Sequence, residues 1–208
     1  MTQRMKLAIA FLAALFLTAA DPPLPGLRVE PAPHGSVLYV RNVYSQPLTA
    51  FLIEMVDYPG SRFSHSTDEV AGEGIPAGVE KAIPVSSMLV GAVSPEYVKV
   101  QAALYADGAS SGNPEKIKLL IAQRSSRLET ARELIHRIET AQSSGTSTPS
   151  IVDSLKQWSE SLEPIKQAIA RAMIAHAMRD LEQQSIETAV TNLKRAEQAI
   201  ASSKPPLP

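Results

Sequence analysis

The chain has 208 residues and no cysteine, and its 20 Lys and Arg nearly balance its 21 Asp and Glu. The absence of cysteine excludes disulfides, thiol catalysis and zinc–thiolate sites. The net charge of -1 provides no basic surface of the kind that nucleic acid requires, so nucleic-acid binding is not expected.

The first 20 residues have the pattern of a secretory signal peptide. Arg4 and Lys6 are the only charged residues before Asp21, and an apolar run extends from Leu7 to Leu17. A helix of that run would span about 16 Å, roughly half of a hydrocarbon core, so no stable transmembrane span is predicted. We expect cleavage after Ala20 and a periplasmic or extracellular location, with a retained N-terminal anchor as the alternative.

The remaining chain changes composition once, near residue 110. Residues 21–110 contain 5 basic and 10 acidic side chains, whereas residues 111–208 contain 13 and 11. Seven of the eight aromatic residues after the signal lie between Tyr39 and Tyr105, and only Trp158 lies beyond them. We predict two modules, divided as a Pro-rich linker over 21–26, a β-sandwich over 27–109, a helical domain over 110–203 and a disordered tail over 204–208.

Short segments rich in β-branched and aromatic residues follow one another in the first module, separated by Pro, Gly, Asn and Ser. This pattern is typical of strands joined by turns and favours a small antiparallel sandwich. In the last segment the even-numbered side chains from Val98 to Leu104 are all apolar, which predicts one core-facing side. The predicted strands are Leu27 to Glu30, Val37 to Tyr44, Leu48 to Val56, Val79 to Val85 and Tyr97 to Tyr105.

The polar stretch from Ser61 to Gly78 is predicted to be a loop. It is either a ligand-facing element or a mobile connection. We favour the connection, because nothing in the stretch repeats a known ligand spacing.

Two segments resemble exported bacterial proteins of uncharacterised function. Arg41 to Val56 reads RNVYSQPLTAFLIEMV, and Val98 to Arg124 reads VKVQAALYADGASSGNPEKIKLLIAQR. They are similar to a strand pair with the pattern N-x-x-S-x-P-[LI]-T-A and to a strand that ends in ADG-x-x-x-G-[ND]-P before a helix. The resemblance implies an immunoglobulin-like or fibronectin-like sandwich and an exported location, and it carries over no catalytic residue.

The joint between the modules contains both turn and helix-start signals. Asn113 as a cap, Pro114 at the first helical position and Glu115 in the first turn predict a helix start. The alternative is a calcium site formed by the oxygen-bearing side chains Asp107, Ser110, Ser111 and Asn113. We favour the turn, because their order does not match a calcium-binding loop; no metal or cofactor is predicted.

The first helix is predicted from Pro114 to about Ala141. Its apolar stripe consists of Ile117, Ile121, Leu128, Ile135 and Ile138, with Arg, Glu and Gln on the remaining surface. A second helix start follows, with Thr148 as its cap and Pro149 at the first helical position.

Beyond that start, side chains recur at spacings of four and three, which is typical of a heptad seam. The seam consists of Ile151, Leu155, Trp158, Leu162, Ile165, Ile169, Ala172 and His176. Because it keeps its phase across Pro164, we predict a kinked but continuous helix. A last stripe, formed by Ile186, Val190, Leu193 and Ile200, leaves open whether a turn precedes it.

These patterns predict an α+β chain of two modules, a small antiparallel Ig-like β-sandwich followed by an antiparallel α-helical hairpin or three-helix segment. No catalytic motif is present, and no two of the four histidines have a metal-binding spacing. The leading hypothesis is therefore a non-enzymatic exported protein whose β-sandwich and helical seam serve protein–protein or envelope interactions. The expected partner is another protein, or a second copy bound through the seam, with Trp158 as a candidate contact residue.

Two other classes of function stay open. The first is a carbohydrate or small-ligand module that uses the aromatic side chains Tyr39, Tyr44, Phe51 and Tyr105. The second is an extracytoplasmic enzyme, which would need a cleft that brings His65 and Asp68 together with another acid.

Overall fold

The computed structural model describes residues 21–57, 63–87 and 95–205. It is an α+β structure in which two antiparallel sheets are followed by four helices, which confirms the predicted α+β class and the order of strands before helices. The predicted signal peptide lies outside the described residues.

The β module contains seven described strands. They are β1 (Gly26–Ala32), β2 (Gly35–Arg41), β3 (Leu48–Met55), β4 (Ser64–Asp68), β5 (Glu80–Val85), β6 (Val98–Tyr105) and β7 (Ser110–Gly112). Of these, β4 and β7 were not among the five segments named from the sequence. One sheet has the order β1-β2-β5 and the other has the order β4-β3-β6-β7. Short 3-10 helices cover Val70–Gly72 and Pro95–Tyr97.

The helical module contains α1 (Pro114–Ser143), α2 (Thr148–Ser161), α3 (Ala168–Gln183) and α4 (Ile186–Ala201). The α1 start is confirmed, because the Asn113 side chain accepts a hydrogen bond from the Glu115 N–H at 2.9 Å. Ser185 caps α4 in the same way by accepting from the Thr188 N–H, so a turn does separate the last two helices. The cap position of α2 is Ser147, one residue before the predicted Thr148.

The four-stranded sheet is covered on both faces. Towards the three-stranded sheet it contributes Phe51, Ile53, Ala103 and Tyr105 to a core that also contains Leu38 and Val40. On the opposite face Ala50, Leu52, Ala102 and Leu104 pack against Ile117, Leu120 and Ile121 of α1. The first half of α1 therefore belongs to the core of the β module.

The predicted single core-facing side of the last strand is wrong, because β6 contains a bulge. Ile53 pairs with Val100 and Leu52 pairs with Ala102, so Gln101 is an extra residue in β6. The extra residue reverses, from that point onward, which side chains of β6 face each side of the sheet. Val98 and Val100 face the other sheet, whereas Ala102 and Leu104 face α1.

The predicted loop from Ser61 to Gly78 is wrong where β4 pairs with β3. The sequence of β4, SHSTD, is entirely polar, and none of its residues is fully buried, so it lacks the apolar pattern that identifies a strand in a sequence. The strand β7 lies beyond the predicted module boundary at Ala109, and its sequence, SSG, has no strand signal.

The prediction of a continuous helix across Pro164 is wrong. The α2 helix ends at Ser161, Leu162 is extended, and α3 begins at Ala168. Proline has no N–H for a helical hydrogen bond and disfavours the α conformation of the residue before it. The helical region therefore has four helices rather than two or three.

The helical core closes within one chain. All four helices contribute buried apolar residues to it. They are Leu134 and Ile138 of α1, Ile151 and Leu155 of α2, Ile174, Ala177 and Leu181 of α3, and Ala189 and Val190 of α4. The second half of the predicted seam does not contribute, since Ala172 and His176 are exposed. The break at Pro164 shifts the helical repeat, so that a different set of α3 residues faces the core. The buried residues of α3 are Ile174, Ala177 and Leu181.

Candidate functional site

The four aromatic residues proposed for ligand binding do not form a common surface. Phe51 and Tyr105 are both 0% exposed. Tyr44 lies against Tyr105 with ring centroids 4.7 Å apart. Tyr39 lies on the three-stranded sheet, where the Arg28 guanidinium lies 3.9 Å from its ring centroid. The described surface therefore offers no platform made from all four rings.

The hydroxyl groups of the two adjacent tyrosines bind one residue just before β1 and one in the turn between β6 and β7. The Tyr105 hydroxyl donates to the Pro23 carbonyl at 2.6 Å, and the Tyr44 hydroxyl donates to Asp107 Oδ2 at 3.1 Å. Burial raises the pKa of Tyr105, and the hydrogen bond to Asp107 raises the pKa of Tyr44. Both rings stay protonated and serve as hydrogen-bond donors within the fold.

The side chains of Asp107 and Asn113, at the joint between the modules, are both engaged in hydrogen bonds. Asp107 Oδ1 accepts from the Ala109 N–H at 3.0 Å, and the Asn113 side chain is occupied as the α1 cap. Among the residues that the structure describes, no group of three or more His, Asp or Glu is placed to hold a metal ion.

His65 and Asp68 are not brought together. They are three positions apart on β4, and side chains at that spacing in a strand point to opposite faces. His65 Nε2 lies 3.0 Å from Thr67 Oγ1, and burial lowers the pKa of His65. The Asp68 carboxylate is instead bound by an arginine on α1.

That arginine, Arg124, was not identified as a candidate residue from the sequence. It is 0% exposed and lies where both modules meet. Its Nε and Nη2 donate to the two oxygens of Asp68 at 2.9 and 3.1 Å, and Nη2 also donates to Thr49 Oγ1 at 3.2 Å. Its Nη1 donates to the Lys204 carbonyl at 3.0 Å. The guanidinium thus joins β4, β3, α1 and the segment after α4.

The helix period contained a signal for this position. Arg124 lies seven residues after Ile117 and four before Leu128, so it occupies a position in the predicted apolar stripe. The structure places Arg124 on the same side of α1 as that stripe, with its charge matched by Asp68.

Trp158 is a half-buried residue at the edge of the helical core. The Arg137 guanidinium lies 4.6 Å from its ring centroid, a distance at which a cation and an aromatic ring attract one another. Arg137 is also paired with Glu133 at 2.6 Å, as expected from their spacing. The indole face is therefore occupied within the chain.

The turn between α2 and α3 presents the most exposed large apolar side chain among the described residues. The turn is formed by residues 162–167, and within it Ile165 is 92% exposed. The turn around it is held by an ion pair between Lys166 and Glu163 at 3.0 Å and by a hydrogen bond from the Glu163 N–H to Gln167 Oε1 at 2.8 Å. Ile165 is thus held in water on an ordered turn.

No protein-family model, curated protein or solved structure matches the chain. Among the described residues, no helix has both the length and the apolar composition needed to cross a membrane.

Proposed function

We propose that the chain is an exported, non-enzymatic binding protein that contacts a protein partner of the cell envelope through the turn between α2 and α3. The observation that carries the proposal is the 92% exposure of Ile165 on that turn. Full burial of an isoleucine side chain contributes about 1.5–3 kcal/mol, which makes this residue a favourable anchor for a partner pocket.

The two helices that flank the turn are packed in the helical core, which supports a fixed position for the turn. Leu155 on α2 and Ile174 on α3 are buried, each six residues from the helix end that flanks the turn. The Lys166 and Glu163 charges next to Ile165 would form the polar rim that surrounds an apolar contact in many interfaces.

We also propose that the β module is a fibronectin-like variant of the immunoglobulin-like sandwich. Seven antiparallel strands in sheets of three and four support this interpretation. In the constant-type immunoglobulin order the fourth strand pairs with the fifth, whereas here β4 pairs with β3. Such domains commonly serve recognition, which agrees with a binding role only by analogy of fold.

Photo-crosslinking in intact cells tests the binding site. A benzophenone amino acid at position 165 is expected to give a discrete crosslinked product, and the same group at the exposed Ser45 of the β module is the matched control. Mass spectrometry of the product identifies the partner, including a second copy of the chain. Equal crosslinking from both positions, or none from position 165, would contradict the proposal.

Export is tested separately by N-terminal sequencing of the protein from cell fractions. The signal pattern predicts a mature N-terminus at Asp21 in the periplasmic or secreted fraction. A chain that begins at Met1 and stays in the membrane fraction would support the retained anchor instead.

A further inference from the structure

The segment that follows α4 closes the junction between the two modules. We define the C-terminal strap as Ser202–Pro205. It begins where the Ser202 N–H donates to the Gln198 carbonyl at 3.0 Å, which ends α4. Two residues later the Lys204 carbonyl accepts from Arg124 Nη1 at 3.0 Å. The backbone of the first residue in the predicted disordered tail is therefore bound by a buried side chain of α1.

The strap lies between the β module and α1. A Cβ atom added to Gly108, in the turn between β6 and β7, would lie 3.2 Å from the Lys204 Cβ atom, so the strap passes close to this turn. A cleft of about 260 Å³ separates the end of α4 from the β module, and its walls include Thr49, Ala106 and Ser202. Ser202, Ser203 and Lys204 of the strap line this cleft.

The hydrogen bonds of Arg124 show what the strap contributes. A guanidinium has five N–H donors, and four hydrogen bonds engage those of Arg124. Three of the four acceptors are side-chain atoms of β3 and β4, and the fourth is the strap carbonyl. If the strap leaves, Nη1 has to find water, because an arginine cannot lose its charge and an unsatisfied buried donor is strongly unfavourable.

We propose that the C-terminal strap is a latch. When it is bound, the end of α4 is held against the β module and Arg124 is sealed from water. When it is released, the helical module stays joined to the β module through α1, the cleft opens, and the Arg124 guanidinium becomes available to an outside carbonyl or carboxylate. This conformational role is independent of the contact proposed at Ile165.

Hydrogen exchange on three versions of the protein tests the latch. They are the full chain, a chain that ends at Ser202, and the full chain with Lys204→Ala. The last variant keeps the backbone carbonyl that Arg124 binds, so it should behave like the full chain. In the shortened chain we expect at least about tenfold faster exchange of the Glu69 and Val70 amides and of the last turn of α4, through local opening.

The α2 helix provides the internal reference, because it does not border the strap. Unchanged exchange at Ile151 and Leu155 together with faster exchange at Glu69 supports a latch. A uniform increase across all amides would overturn the proposal, since the strap would then only add global stability. Unchanged exchange at Glu69, or faster exchange in the Lys204→Ala variant alone, would overturn it as well.

A second measurement follows the distance between the modules. Since the chain has no cysteine, spin labels can be placed uniquely at Ser45→Cys and Thr191→Cys, both exposed. The latch predicts a narrow distance distribution for the full chain and a broader one for the shortened chain. If the shortened chain does not fold, two glycines inserted after Ser202 lengthen the strap instead and should also broaden the distribution; an unchanged width would contradict the latch.

Discussion

Arg124 and Asp68 form a two-pronged ion pair between α1 and the edge strand β4, with N–O distances of 2.9 and 3.1 Å. The arginine side chain is 0% exposed and the aspartate side chain 8% exposed. Such a pair contributes little net stability relative to a well-packed apolar pair, but removing one member leaves a buried charge without a partner. We infer that the pair mainly fixes the position of α1 on the sheet.

Asp68→Ala is expected to destabilise the protein by about 3–5 kcal/mol, because it leaves the guanidinium of Arg124 buried and unpaired. Urea denaturation followed by circular dichroism measures the change in the free energy of unfolding. The matched control is Glu133→Gln, which removes the exposed pair with Arg137 and should cost less than about 1 kcal/mol. Equal losses in the two variants would show that the buried pair has no special role.

Gly112→Ala is expected to destabilise the β module through a steric clash. Gly112 has φ 103°, and an added Cβ atom would lie 2.2 Å from the Gln101 carbonyl oxygen, next to the bulge in β6. Positive φ alone costs an alanine roughly 1–2 kcal/mol, and the clash adds to that. Gly145→Ala separates the two effects, since Gly145 has φ 71° with no atom within 4 Å of the added Cβ. The midpoint of urea unfolding should fall more for Gly112→Ala, and the reverse order would contradict the bulge geometry.

His65 is expected to make the protein less stable in mild acid. Burial lowers its pKa in the folded state below the value of about 6.5 in the unfolded chain, so the unfolded state binds more protons as the pH falls. The stabilising effect of the neutral ring is fully present above about pH 6.5 and is lost as the pH falls through the lowered folded pKa.

Urea unfolding of the wild type and of His65→Gln at pH 7.5 and pH 5 measures this effect. The variant should lose less stability between the two pH values than the wild type, because it lacks the titrating ring. His34→Gln, at an exposed position between β1 and β2, is the control and should follow the wild type. Identical losses in the wild type and in His65→Gln would show that the ring does not titrate differently in the two states.

The sequence predicted the parts of the fold in which one local signal dominates. The Asn113 cap and the first strands have strong local patterns, and each is present in the structure. Two features were not predicted, because they depend on tertiary contacts. The strand β4 is polar and is defined only by pairing with β3, and Gln101 shifts the facing of β6 without any change in composition.

The candidate residues show the same division between local and tertiary information. Composition identified the aromatic residues, but only the packing shows that Phe51 and Tyr105 are inside the core. Arg124 was not singled out from the sequence, although its position in the apolar stripe of α1 indicated burial. A charged residue in register with an apolar stripe is thus a reason to search for a buried partner, which here is Asp68.

Leu155→Ala and Ile165→Ala distinguish packing within the chain from contact with a partner. Both residues belong to the predicted seam, but Leu155 is 1% exposed and Ile165 is 92% exposed. Leu155→Ala should cost about 2–5 kcal/mol, because it opens a cavity between α2 and α3. Ile165→Ala should change the free energy of unfolding by less than about 0.5 kcal/mol, as for most exposed positions. Urea unfolding at two protein concentrations makes the comparison. If the seam instead closed between two copies, the unfolding midpoint would depend on protein concentration, and Ile165→Ala would strongly lower the free energy of unfolding.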